Sequence, residues 1–168
     1  MSLSLKIAAA LAAGLAVSAA AAPAQEPASA PSQAPLLAVG DTVPSFDAEG
    51  LDGAIQHVDY RKGSVTVVLF FLSSCPVCHK MIPEWNRAYE RRPKGLRVVA
   101  VMLDREPPGF FMATPVSFPV LRSPGPEFPR TFKLQKVPMT VRIGAGGKVE
   151  DVGVGQLDLI RLGEIFRP

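Results

Sequence analysis

The residues best equipped for chemistry are Cys75 and Cys78, which stand in the run Cys75-Pro76-Val77-Cys78-His79. Two chemistries fit that spacing. C-x-x-C-H is the attachment pattern of a c-type haem, and C-x-x-C alone is a dithiol that trades electrons with other thiols. The chain has 2 cysteines in all, and a disulfide between them would close too small a loop to staple a fold, because the entropy removed from the unfolded chain grows with loop length. Their role is therefore chemical. A haem would also need a distal ligand, and 5 methionines are available for one.

The elements that must hold these residues argue for the dithiol. Val65 to Leu72 is an unbroken β-branched and aromatic run, suited to a central strand covered on both faces. Ser73 and Ser74 follow, then the two cysteines, then a helical stretch in which Met81, Trp85 and Tyr89 recur at helical spacing. Pro93 and Gly95 mark its end, and Pro83 within it predicts a kink. A strand, a turn carrying the cysteines and a helix make up a redox unit, whereas a haem is wrapped mostly by helices and loops. Further strands are expected at 96–103, 118–121, 137–143 and 148–152, with an amphipathic segment from Leu157 to Phe166. Asp52-Gly53 predicts a small hairpin near the start of the domain. Gly144 to Gly147 read as a hairpin turn and not a phosphate loop, since a strand follows them.

Taken together, these motifs resemble the TlpA/ResA branch of the thioredoxin superfamily. The resemblance rests on the buried strand running into S-S-C-P-V-C, Pro83 five residues beyond the second cysteine, the Phe118-Pro119-Val120 segment and Val137-Pro138-Met139-Thr140 leading into a hairpin. It covers residues 38–168. The C-P-V-C tetrapeptide is also similar to that of exported accessory proteins that help mature methylamine dehydrogenase. The resemblance implies an α/β thioredoxin-like fold: a mixed central sheet flanked by helices, with an N-terminal hairpin and an inserted helix and strand before Pro138. It implies exchange with protein thiols and disulfides in the reducing direction, recharging by an upstream redox donor, and no bound cofactor or metal; beside the haem protein, the alternative is a binding module that keeps the fold without catalysis.

In that fold the dithiol sits at the amino end of the first long helix, where unpaired backbone N–H groups and the helix dipole favour a thiolate. Cys75 is then the nucleophile and Cys78 the resolving thiol. Pro138 matches the cis-proline that faces the dithiol, and the Val137 backbone beside it can pair with an extended substrate strand. His79, four residues after Cys75, is either a cation that steadies the thiolate or a solvated surface histidine. Three positions depart from the branch. Met81 and Leu69 stand where an acid is common, leaving no obvious protein base, and Ser74 replaces a tryptophan, making the partner groove less aromatic. Glu84 reads as a surface helix residue.

The remaining composition excludes other classes. The chain has 168 residues, 48% of them hydrophobic, enough for one buried core. Its formal charge of +3 falls to about +2 without Lys6, too little to attract nucleic acid. Arg87, Arg91, Arg92, Lys94 and Arg97 cluster at a helix end, where cations suit the dipole, and read as a solvated face. His57 reads as isolated. Residues 1–22 form a secretory signal, with Lys6 ahead of an alanine-rich apolar run and small residues at its close. The alternative is an uncleaved anchor helix. Residues 23–37, rich in Pro, Ala, Ser and Gln, read as a flexible linker to a domain at 38–168. A periplasmic location follows, with no membrane association once the signal is cleaved.

Overall fold

The computed structural model describes residues 36–61 and 64–168. The expected signal, and the linker up to residue 35, lie outside the described residues. Leu37 is buried and its N–H donates to the Lys133 carbonyl at 3.3 Å, so core packing starts one residue ahead of the expected domain boundary. Among the described residues no helix is long and apolar enough to cross a membrane.

The described residues form seven strands and four α-helices in the order β1 (Phe46–Glu49), β2 (Ile55–Val58), β3 (Thr66–Phe71), α1 (Pro76–Glu90), β4 (Arg97–Met102), α2 (Phe110–Ala113), β5 (Val120–Arg122), α3 (Phe128–Thr131), β6 (Met139–Ile143), β7 (Val149–Val154) and α4 (Leu159–Ile165). Five strands form one mixed sheet in the order β5-β4-β3-β6-β7, with β3, β4 and β5 mutually parallel, β6 antiparallel to β3 and β7 antiparallel to β6. β1 and β2 form a separate antiparallel hairpin, closed by a turn in which Gly53 takes φ +82°. This is the expected thioredoxin-like α/β architecture, and the inserted segment is supplied by α2, β5 and α3.

The unbroken apolar runs are explained by two-sided burial. Val67, Leu69 and Phe71 of β3 face a core shared with α1 and α4, while Val68 and Phe70 face a second core closed by the hairpin and α3. β4 divides in the same way, Val98, Ala100 and Met102 to the first core and Val99 and Val101 to the second. Alternation is present in the geometry and hidden in the letters, because both sets of side chains are apolar.

α1 is anchored by Met81, Ile82 and Trp85, all buried, and the Trp85 indole N–H donates to Thr140 Oγ1 at 2.9 Å across to β6. The helix runs through Pro83 as a single element to Glu90. Pro83 faces solvent, and its missing N–H leaves the His79 carbonyl without a helical donor. Gly144 to Gly147 form the β6–β7 turn as expected. At Gly147 (φ +80°) a Cβ would meet the Val43 carbonyl at 2.1 Å, so only glycine fits.

Candidate active site

Cys75 is the residue before the first turn of α1, in extended conformation (φ −90°, ψ 115°), with Pro76 opening the helix. Its carbonyl accepts from His79 N at 3.1 Å, and its sulfur accepts from Cys78 N at 3.4 Å. The thiol thus does the capping work that a serine or aspartate hydroxyl or carboxylate usually does. Cys75 is half-buried and Cys78 is fully buried in the first core.

The two sulfurs titrate in opposite directions. Partial burial works against the Cys75 thiolate, but hydrogen bonds from the Cys78 thiol and from the backbone N–H groups of Cys78 and Val77 outweigh it and lower its pKa. Burial pushes the Cys78 thiol up to about 12, helped by the neighbouring Cys75 sulfur and the Asp104 carboxylate. One sulfur is prepared to be a thiolate and the other to keep its proton. A haem thioether at Cys78 would need that sulfur outside the core in which it is packed.

Val137 and Pro138 arrive at the same place through β6. The last β3–β6 pair is Phe70 with Met139, so Pro138 lies beside the end of β3 from which the chain leads to Cys75. The Val137–Pro138 peptide is cis, and the Pro138 carbonyl accepts from Gly155 N at 2.8 Å. His79 is exposed; its Nε2–H donates to the Ser73 carbonyl at 2.6 Å, and its ring lies 5.5 Å from that of Phe110 on α2. The imidazole is tied to the turn before the cysteines and not to the Cys75 sulfur. Val77, between the two cysteines, is 39% exposed, giving the site an apolar edge.

Other expectations are revised. Met81 and Leu69 are buried and apolar, as their types require, yet the site does have a carboxylate: Asp104, two residues past β4, reaches the turn before Cys75. It accepts from Ser73 N at 2.7 Å, Ser73 Oγ at 2.9 Å, Ser74 N at 3.1 Å and Ser74 Oγ at 3.1 Å. The parallel register that pairs Phe71 with Met102 sets Ser73 opposite Asp104, two residues beyond each strand. Glu84 is partly buried and paired with Arg87 at 2.7 Å. His57 is not isolated, because its Nδ1 meets Asp47 Oδ1 at 2.7 Å across the hairpin register. Of the basic cluster, Arg92 stacks 3.7 Å over the Tyr89 ring and Arg97 donates to the His57 carbonyl at 2.9 Å, so local partners occupy both.

A helix-capping thiol above a buried one and a cis-proline at the same end of the sheet sit on the strand order of a thioredoxin-like fold. The model of the Redoxin family matches residues 38–159. The chain belongs to the Redoxin family. It is 28% identical over 132 residues to the thiol-disulfide oxidoreductase ResA of Oceanobacillus iheyensis, covering 74% of this chain and 69% of that one. Among solved structures, StoA of Bacillus subtilis superposes with a TM-score of 0.64 at 21% identity, over 74% of this chain and 97% of StoA. A thiol:disulfide interchange protein of the thioredoxin family from Chlorobium tepidum superposes with a TM-score of 0.64 at 24% identity, over 77% and 95% of the two chains. The relatives lie in the TlpA/ResA branch that the motifs resemble, and the two structures share the fold of this Redoxin chain.

Proposed function

We propose that this protein is an exported thiol-disulfide oxidoreductase that reduces protein disulfides in the periplasm through the Cys75–Cys78 dithiol. The observation that carries the reading is the pairing of a half-buried, thiolate-favouring Cys75 at the start of α1 with a fully buried, proton-keeping Cys78. The names of the curated relatives support the same class of reaction, and the signal-like residues 1–22 support export.

In the forward direction the Cys75 thiolate attacks a partner disulfide, forming a mixed disulfide and releasing one partner sulfur as a thiolate. Cys78 then attacks Cys75, the Cys75–Cys78 bond forms, and the second partner sulfur leaves. The proton from Cys78 and the one lost earlier from Cys75 end on the two partner thiols, and two electrons pass to the partner. An upstream donor returns the pair to the dithiol by the same steps in reverse. Val137 offers backbone pairing to the partner strand, and Pro138, lacking an N–H, closes the site without competing for the sulfur. His79 holds the Ser73–Ser74 turn, and His79→Gln is expected to leave the apparent pKa of Cys75 unchanged.

Alkylation of the reduced protein at neutral pH should modify Cys75 faster than a small free thiol and leave Cys78 untouched. Insulin reduction should fall to background in Cys75→Ser. Cys78→Ser, expressed as the full chain, should accumulate covalent partner complexes in the periplasmic fraction that dithiothreitol releases. Alkylation no faster than for a free thiol, or recovery of the protein carrying covalently bound haem, would sink the reading.

A further inference from the structure

Asp104 has no role in the exchange steps above, yet its carboxylate is fixed more firmly than any other acid at the site. Four donors converge on it, two backbone N–H groups and two hydroxyls, all from the two residues directly before Cys75. A carboxylate held this way keeps its charge: burial works against ionisation, but the four hydrogen bonds outweigh it and hold the pKa below the usual range. Among the described residues no cation hydrogen-bonds to Asp104, while Arg105 and Arg122 line the same cavity. Arg105 and Glu106 follow Asp104 in the chain, and Glu106 is directed to Arg122 at 3.6 Å. On α1, His79 is bonded to the Ser73 carbonyl, and Lys80 is exposed. The charge therefore stands beside the dithiol without a neutralising partner in the turn, and it opposes a second negative charge on either sulfur.

We propose that Asp104 is a positioning residue which, clamped by Ser73 and Ser74, holds a fixed negative charge against the thiolate form of the dithiol and so biases the Cys75–Cys78 pair toward giving up electrons. The bias follows from the half-reaction. Reducing the Cys75–Cys78 bond takes up two electrons and, above the Cys75 pKa, a single proton, leaving Cys78 as a thiol and Cys75 as a thiolate. The disulfide carries no charge. A neighbouring carboxylate destabilises the thiolate and leaves the disulfide unaffected, so the oxidised pair is favoured and the dithiol becomes the stronger donor. The helix start pulls in the opposite direction, and Asp104 keeps the pair from becoming an oxidant.

The inference rests on the dithiol reading, and its test separates the two. Asp104→Asn removes the charge in a side chain of the same shape. At low ionic strength the pH midpoint of Cys75 alkylation should fall by about half to one unit, and the reduced fraction in equilibrium with glutathione should rise about threefold to tenfold, an increase in potential of ~15 to ~30 mV. Added salt should shrink the difference. Asp104→Ser serves as a second neutral variant should the asparagine distort the turn. Ser74→Ala cuts one hydrogen bond of the clamp and leaves the charge, so it should move neither quantity by more than about twofold. Asp104→Glu should return both toward wild type. A neutral variant that melts like wild type and keeps its alkylation profile and glutathione equilibrium would overturn the assignment. So would Ser74→Ala reproducing the full effect, which would make turn geometry the cause. Slow alkylation of wild-type Cys75 would instead remove the dithiol reading itself.

Discussion

The two faces of the sheet are built from different materials. Under the hairpin and α3, the core is mostly aliphatic and aromatic: Phe46 packs 5.0 Å from Phe128 and 5.4 Å from Phe132, and Phe70 lies 5.8 Å from Phe132. Under α1 and α4, apolar packing is threaded with directed polar bonds. Trp85 reaches Thr140, and buried Arg142 donates to the carbonyls of Ile165 at 3.1 Å, Arg167 at 2.6 Å and Pro168 at 3.2 Å while pairing with Glu150 at 2.9 Å. Van der Waals packing holds a surface together without fixing where one residue sits along it, whereas a hydrogen bond fixes register. The face that contains Cys78 is the one whose helices are pinned. The hairpin face supplies stability, and the helix face supplies stability and position.

Phe132→Ala should give the largest loss of stability, about 3 to 5 kcal/mol, because a fully buried ring is deleted from an aromatic cluster. Denaturant melts measure the loss, and the pH profile of Cys75 alkylation should be unchanged in the folded variant. A shifted profile would show that the hairpin face also positions the site. Arg142→Met comes next, at about 2 to 3 kcal/mol, since carbonyls of the chain's last residues lose their donor and Glu150 its partner. Leu157, two residues before α4, donates its N–H to Met81 Sδ at 3.2 Å, so this variant should also raise hydrogen exchange in α1 near Met81. Exchange that stays as slow as in wild type would mean that α1 holds its place without α4.

The strands and the strand–turn–helix unit that carries Cys75 and Cys78 were legible because their signals are local. An apolar run of eight, a glycine turn and C-x-x-C each carry their meaning within one short window. Asp104 was not, because its partners are backbone N–H groups and hydroxyls some thirty residues away, and aspartate after a strand is ordinary loop composition. The register rule was nevertheless available in outline: two parallel strands of equal length place the second residue past each end side by side, which pairs Ser73 with Asp104. Arg142 was hidden for another reason. A charged residue in a strand reads as solvent-facing, and only the fold of the chain's end, which supplies three carbonyls, turns it inward. His57 was misread because its partner depends on hairpin register, which Asp52-Gly53 suggested without fixing.

The buried thiol sharpens the same contrast through pH. The folded pKa of Cys78 is raised above its unfolded value, so its neutral form contributes stability that is complete below about pH 9 and declines as pH rises toward about 12. Over that window the unfolded chain binds fewer protons, and the reduced protein should lose up to about 1.4 kcal/mol per pH unit relative to Cys78→Ala. Cys75 has the opposite sign: its lowered pKa adds stability as pH rises toward the unfolded value and a constant amount above it, so in Cys75→Ser stability should no longer rise with pH below about 9. Denaturation series at pH 8 and pH 10 on the reduced variants measure both, and parallel curves for wild type and Cys78→Ala would refute the burial effect.

The smallest effect tests the hairpin face. The Tyr60 hydroxyl is buried among apolar groups of that core without a hydrogen-bond partner, and burial raises its pKa. A polar group left without a partner costs the fold about 1 to 3 kcal/mol, while the ring around it packs as a phenylalanine would. Tyr60→Phe is therefore expected to stabilise the protein by up to about 1 kcal/mol, raising the melting temperature a few degrees and leaving insulin reduction unchanged. The equivalent deletion on the other face, Trp85→Phe, strands Thr140 Oγ1 and should destabilise. Opposite signs for two conservative aromatic changes would follow from one difference, that the Trp85 indole N–H has a partner in Thr140 and the Tyr60 hydroxyl has none. A loss of stability in Tyr60→Phe would show that the hydroxyl is used, and the distinction between the faces would fail at that point.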